Sequence, residues 1–306
     1  MSALNLEVVT GLFRSGQVSK RLQVLKISAI NFEVLPDEVI LKVFTYLDMR
    51  DLIYSGQVSK RLQVISKDES LWQKINLYQK VVPPEFLQKV ISNGCKYLSL
   101  VNANLSEGIF NLAKRKSQLK YLELTNFRAN SQVLEELMCS CQSLEKFSFS
   151  CYDVPYDSYH SLNPKMIESF CIENRKSLQI LDLTWCTGLD LISVYLIVDN
   201  CVELKELNLE YCNLTEESVT YLVNNLTKKI QKLSLAGLDN VRDDHLEALV
   251  NRCKMLKVLD LRGTSVSNIG LRQIYITKFF IVNVCLFLQI NWKFDKKGVK
   301  YQNVDY

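Results

Sequence analysis

The sequence predicts an α/β chain in which a short N-terminal group of three helices precedes a repeat solenoid with a parallel sheet on its concave side. Three observations predict it. An apolar triplet recurs about every 26 residues, and a helical apolar stripe of different character lies upstream of it. With 10 glycines and 5 prolines in 306 residues, the chain is also too poor in both for long flexible linkers.

The triplet has the pattern L-x-x-L-x-L. It occurs at Leu119/Leu122/Leu124, Leu144/Phe147/Phe149, Leu178/Leu181/Leu183, Leu204/Leu207/Leu209, Ile230/Leu233/Leu235 and Leu256/Leu259/Leu261. The first residues are 25, 34, 26, 26 and 26 apart, and looser copies at Cys95/Leu98/Leu100 and Trp72/Ile75/Leu77 bring the expected number of units to eight. The L-x-L part is a short strand whose alternate residues face inward. Each unit then turns into a helix. Thr215 can cap one that carries Val219, Leu222, Val223 and Leu226 on a single side, and the next unit repeats this with Val241, Leu246, Leu249 and Val250. One strand and one helix cannot cover such a face alone, so the units must stack.

Five of the ten cysteines follow the same frame. Cys141, Cys201 and Cys253 stand three residues before a triplet, and Cys186 and Cys212 three residues after one, as small apolar groups filling tight turns would. Cys139-x-Cys141 has the wrong spacing for a zinc knuckle. The stretch MSALNLEVVTGLFRSG has no basic start, apolar run and small-residue cleavage site, so the thiols are expected to be reduced. Only His160 and His245 exist, neither at a metal-ligand or nucleophile spacing, and no glycine-rich phosphate loop or G-x-S-x-G is found. No catalytic residue, metal or cofactor is expected, and the chain is read as a non-enzyme. A net charge of +4 argues against nucleic acid, and the longest apolar run, 279–288, is half of what crosses a bilayer.

Upstream lies Val34-Leu-Pro-Asp-Glu-Val-Ile-Leu-Lys-Val-Phe-Thr-Tyr-Leu-Asp-Met-Arg-Asp-Leu, then Val58-Ser-Lys-Arg-Leu62 and Ser70-Leu-Trp72. Pro36 suits a first helical turn, with Asp37 and Glu38 at the positive helix end. Val39, Ile40, Val43, Phe44 and Leu47 make a wide apolar face, and Asp48 or Asp51 can cap a second helix bearing Leu52, Ile53 and later Val58. So small a trio exposes apolar surface that something else must cover.

This segment resembles the F-box, the module by which substrate receptors dock on the Skp adaptor, and through it cullin, in Skp–cullin–F-box ubiquitin ligases. The array after it resembles the cysteine-containing class of leucine-rich repeats, and DESLWQKINL at 68–77, LKELNLEYCNLTEESV at 204–219 and LVNRCKMLKVLDL at 249–261 are similar to F-box/leucine-rich-repeat receptors. The resemblance implies a non-catalytic substrate-recognition subunit acting in the nucleus and cytoplasm. It holds substrates, among them phosphorylated cell-cycle inhibitors, near the conjugating enzyme for proteasomal degradation, and a small kinase-subunit co-receptor can take part. It assigns adaptor contacts to Leu35, Pro36, Ile40, Phe44, Leu47, Leu52 and Val58, with Glu38, Lys60 and Arg61 at the edge. Leu62 replaces the family's usual aromatic residue after Lys-Arg, which implies weaker docking. A repeat scaffold without a ligase role, its N-terminal helices merely capping the solenoid, is the alternative.

On the concave face the variable positions put Asp182, Asn208, Ser234 and Asp260 in a polar ladder. Trp185 and Tyr211, beside Glu206 and Glu210 and with Asp260 and Arg262 further on, form the expected substrate site, since aromatics flanked by charge are common at binding centres. The 34-residue spacing contains an insertion within Cys151–Asn163, expected as a binding-face loop. The decapeptide SGQVSKRLQV stands identically at 15–24 and 55–64, through a duplication or a misassembled reading frame. Domain boundaries are expected at 1–31 (poorly ordered), 32–71 (F-box), 72–265 (solenoid) and 266–306 (irregular extension).

Overall fold

The computed structural model describes residues 34–47, 49–112, 116–150, 162–186, 188–277, 283–285, 291–295 and 298–302. The first copy of the decapeptide, the expectation of disorder over 1–31, and the insertion from Cys151 to Ser161 lie outside the described residues. The chain forms two compact units, one running to Ile75 and including Ser92–Cys95, the other made of Asn76–Ile91 and the chain from Lys96 onward.

The first unit holds helices α1 (Asp37–Phe44), α2 (Met49–Ser55), α3 (Lys60–Ile65) and the single turn α4 (Glu69–Trp72). The acidic pair Asp37 and Glu38 opens α1 directly after Pro36. Ser59 caps α3 by accepting from Leu62 N at 3.2 Å. The interior is Ile40, Val43, Phe44, Leu52, Leu62, Ile65 and Trp72, the indole of Trp72 donating to Ser66 O at 2.8 Å. A buried Trp N–H needs such a partner.

In the second unit eight strands lie side by side, all parallel. They are β1 (Tyr97–Ser99), β2 (Tyr121–Thr125), β3 (Lys146–Ser150), β4 (Ile180–Asp182), β5 (Glu206–Asn208), β6 (Lys232–Ser234), β7 (Val258–Asp260) and β8 (Asn283–Cys285). Leu77 N and Gln79 N donate to Ser99 O and Val101 O, so the looser first copy of the repeat runs alongside β1. None of the eighteen triplet side chains from Leu119 to Leu261 is more than 2% exposed. Each such burial stabilises by about 1.5–3 kcal/mol.

Helices α5 (Pro84–Ser92), α6 (Ser131–Ser140), α7 (Pro164–Glu173), α8 (Leu191–Asn200), α9 (Glu216–Asn225), α10 (Asp243–Arg252) and α11 (Asn268–Thr277) alternate with the strands. From α6 to α11 each packs on the next. Asn130, Asn163, Asp190 and Thr215 cap α6 to α9 by accepting from the backbone N–H three residues on. At α10 the bond runs the other way: His245 Nδ1 accepts from the N–H of Arg242, the residue at the helix start, at 3.2 Å, while Nε2 meets Thr220 Oγ1 at 3.0 Å. This buried histidine is therefore a cap that ties α10 to α9. Regular elements also fall in the stretch read as an irregular extension: α11, the strand β8 pairing with β7, and a hairpin of β9 (Asn291–Asp295) and β10 (Gly298–Gln302).

Cys141, Cys186 and Cys212 sit in turns, whereas Cys139 and Cys171 lie within α6 and α7. Cys186 and Cys212 donate to Phe149 O and Leu183 O at 3.3 and 3.1 Å, and Cys141 to Leu137 O at 3.2 Å. Burial raises the Cys141 thiol to about 11 and the Cys212 thiol to about 12. Cys171 is also pushed up, by its hydrogen bond with Cys201 and by burial. Thiols held protonated in this way are poor nucleophiles and poor metal ligands. No helix among the described residues is long and apolar enough to cross a membrane.

Candidate functional site

Two surfaces stand out, one in each unit. In the helical unit, Ile40, Phe44 and Leu52 are at most 3% exposed. They hold the unit together. Pro36, Glu38, Val58 and Lys60 lie in solvent, while Leu35, Leu47 and Arg61 are half-buried. Arg61 is tied down by Asp37 Oδ1 (Nε at 2.9 Å) and by the Leu35 carbonyl, which fixes the Leu35-Pro36 entry to α1. Leu62 is buried, so the missing aromatic ring concerns the interior of the unit. Tyr46, Tyr54 and Val64, which the apolar stripe did not predict, are 42%, 52% and 72% exposed. Their signal in the sequence was apolar bulk off the core face of a short helix.

In the solenoid, the open face of the sheet carries the ladder in register: Asp182 opposite Asn208, Asn208 opposite Ser234, Ser234 opposite Asp260. Its side chains are drawn back into turns. Asp182 Oδ1 accepts from Thr184 N at 3.1 Å, Asn208 Oδ1 from Glu210 N at 3.0 Å, and Asp260 Oδ1 from Arg262 N at 3.2 Å. These are Asx turns. After them the backbone enters the left-handed region at Trp185 (φ 63°), Tyr211 (φ 54°) and Gly263 (φ 66°). Asn102, Asn126 and Gly237 occupy the same place in their own units.

Asparagine and glycine enter that region readily, whereas a bulky side chain costs about 1–2 kcal/mol. Trp185 and Tyr211 are there nonetheless. Their rings stack at 4.3 Å and 21°, and they remain 40% and 44% exposed. The Tyr211 ring covers Gly237, where a Cβ would strike it. Around the pair the charges are matched. Arg262 grips Asp260 (Nη2–Oδ2 2.6 Å) and reaches across the small Ala236 to Glu210 (3.2 Å), and Lys232 pairs with Glu206 at 2.8 Å. All the residues expected at the substrate site therefore come together on one face. A second stacked pair went unpredicted: Tyr97 and Tyr121, centroids 4.5 Å apart at the start of β1 and β2. Tyrosines at one position of consecutive units were its signal.

A helical module with apolar side chains left in water, joined in sequence to a repeat sheet with an aromatic step and paired charges, defines a binding protein built from stacked repeats. The comparisons name its kin. Residues 85–269 match the family model described as the SKP2 LRR domain, and residues 32–78 match an F-box-like domain. The chain belongs to the F-box/leucine-rich-repeat family and is related to SKP2. It is also similar, at 15% identity and a TM-score of 0.39 over 94% of each chain, to a chain in the crystal structure of the Rad7 and Elc1 complex in yeast.

Proposed function

We propose that the protein is the substrate-recognition subunit of a Skp–cullin–F-box ubiquitin ligase, docking on the Skp adaptor through its helical unit and holding a protein substrate on the open face of its sheet. The observation that carries the reading is that the F-box-like segment keeps Tyr54, Val58 and Val64 in water although its own interior is filled. Side chains of that kind mark a surface another protein covers. The strained Trp185–Tyr211 step supports the substrate half, because backbone strain of this kind clusters at ligand-binding sites. Rate then comes from proximity, with the solenoid positioning a lysine of the substrate while other subunits supply the chemistry. Phosphorylated cell-cycle inhibitors, a small kinase-subunit co-receptor, and action in nucleus and cytoplasm are the finer parts of the same proposal.

The test is co-purification of the full chain with the Skp adaptor, comparing wild type with Tyr54→Ala plus Val58→Asp. Capture by wild type and loss in the variant are expected. A folded wild type that captures no adaptor refutes the ligase reading and leaves the repeat scaffold. Trp185→Ala is expected to lose substrate while still binding adaptor.

A further inference from the structure

On the open face near the aromatic step, the two cations, Lys232 and Arg262, are already paired with carboxylates. The rim of the second unit where the strands begin and the helices end differs. Gln179, Lys205, Gln231 and Lys257 lie on adjacent rungs, linked by Lys205 N→Gln179 O, Gln231 N→Lys205 O and Lys257 N→Gln231 O at 2.7–2.8 Å. Lys205 and Lys257 donate only to neutral partners, Gln179 Oε1 at 2.8 Å and Gln231 Oε1 at 3.2 Å, so their charge stays uncompensated. Arg175, Lys176, Lys228 and Lys254 stand beside them in the turns leaving α7, α9 and α10, exposed.

Among the described residues, none of these six is paired with a carboxylate. Of the carboxylates on this rim, Glu203 is tied to Lys229 at 2.6 Å, Glu145 on the rung before Gln179 is tied to Lys120 at 3.4 Å, and Asp199 accepts from Tyr221 Oη; Glu173 lies here as well. The negative helix ends favour cations nearby. That need is met in part by Arg252, which donates to Asn225 O and Leu226 O at the end of α9. The opposite rim, where the helices begin, carries Asp190, Glu217, Asp239 and Asp244, with Glu216 already paired with Arg242 at 2.9 Å and Lys165 at the start of α7, so acidic groups outnumber basic ones there.

We propose that the basic rim between Arg175 and Lys257 binds an acidic protein segment rich in Asp and Glu. Three rungs of about 4.8 Å span roughly 15 Å, the length of four or five extended residues. A short acidic segment fits that span. A long polyanion such as RNA would also meet the acidic opposite rim, in a chain whose net charge is only +4. The proposal does not depend on adaptor docking.

The test uses the full chain and a dye-labelled peptide of five consecutive glutamates, followed by anisotropy. Binding is expected to weaken about tenfold between 50 and 300 mM salt, because the contacts are exposed and screened. Lys228→Glu/Lys254→Glu/Lys257→Glu is expected to lose about tenfold or more, the matching Gln triple part of that, and Trp185→Ala nothing. Absent binding, unchanged binding in both folded triples, loss on Trp185→Ala, or tighter binding of a five-nucleotide RNA would each overturn it.

Discussion

Replacing Asn174 by alanine is expected to loosen the join between two repeat units far more than its size suggests. Asn174 is fully buried. Its Oδ1 accepts from Leu144 N at 2.8 Å, and its Nδ2 donates to Cys141 O and to Phe170 O, both at 2.9 Å. Phe170 O keeps a second donor, Asn174 N at 3.1 Å, and this survives the change. Leu144 N–H and Cys141 C=O lose their partner in a dry interior, at about 1–3 kcal/mol each. A loss near 4 kcal/mol follows, a large part of the ~5–15 kcal/mol that holds a domain. Chemical denaturation measures it, and amide exchange at Leu144 locates it. Asn174→Asp adds a sign check. It keeps an acceptor for Leu144 but faces the Cys141 carbonyl with a carboxylate, so burial raises its pKa and its stability falls as pH rises through that value. A loss below 1 kcal/mol with Leu144 still protected would refute the reasoning, by showing that these bonds do not hold the units.

Other outcomes follow from the same geometry. Gly237→Ala is expected to cost about 2–3 kcal/mol and to displace the Tyr211 ring, whereas Gly263→Ala, with its nearest neighbours at 3.6 Å, pays only the left-handed backbone, about 1 kcal/mol; equal losses in thermal melts would remove the ring from the account. Cys141 and Cys212 have folded pKa values near 11 and 12 against an ordinary 9, so the stability they confer is complete below pH 9 and lost as pH rises through 11–12. This is worth roughly 3 kcal/mol at Cys141 and roughly 4 kcal/mol at Cys212, and a denaturation midpoint flat from pH 8 to 11 would contradict it. Arg61→Ala should change folding stability by about 1 kcal/mol, since the carboxylate it pairs with, Asp37, is 64% exposed. Adaptor capture should fall nonetheless, as the Leu35 turn is released, and the two readouts together check this.

The solenoid was legible because its leucines recur at fixed spacing and each has to be buried, a constraint that no local preference overrides. Thr215 at a helix start and Cys186 in a turn could be read for the same reason. Which apolar side chains stay in water could not be. Ile40, Phe44 and Leu52 look like Val58 in sequence, and only the closure of four short helices separates interior from surface. Asp182, Asn208 and Asp260 were rightly placed in one row, but their retreat into turns depends on backbone torsions that the sequence states openly only at Gly237 and Gly263. The basic rim escaped notice because its cations lie far apart in the chain and the net charge hides them.

The two tryptophans whose surroundings are described differ enough to act as separate optical reporters. Trp72 is sealed in the helical unit with its N–H bonded to Ser66, so its emission should lie to the blue and resist quenching by iodide. Trp185 stands in water against Tyr211, so its emission should lie to the red, quench readily, and shift when a partner covers the sheet. With Trp292 replaced by phenylalanine, one spectrum then shows which unit has been engaged, without any added label.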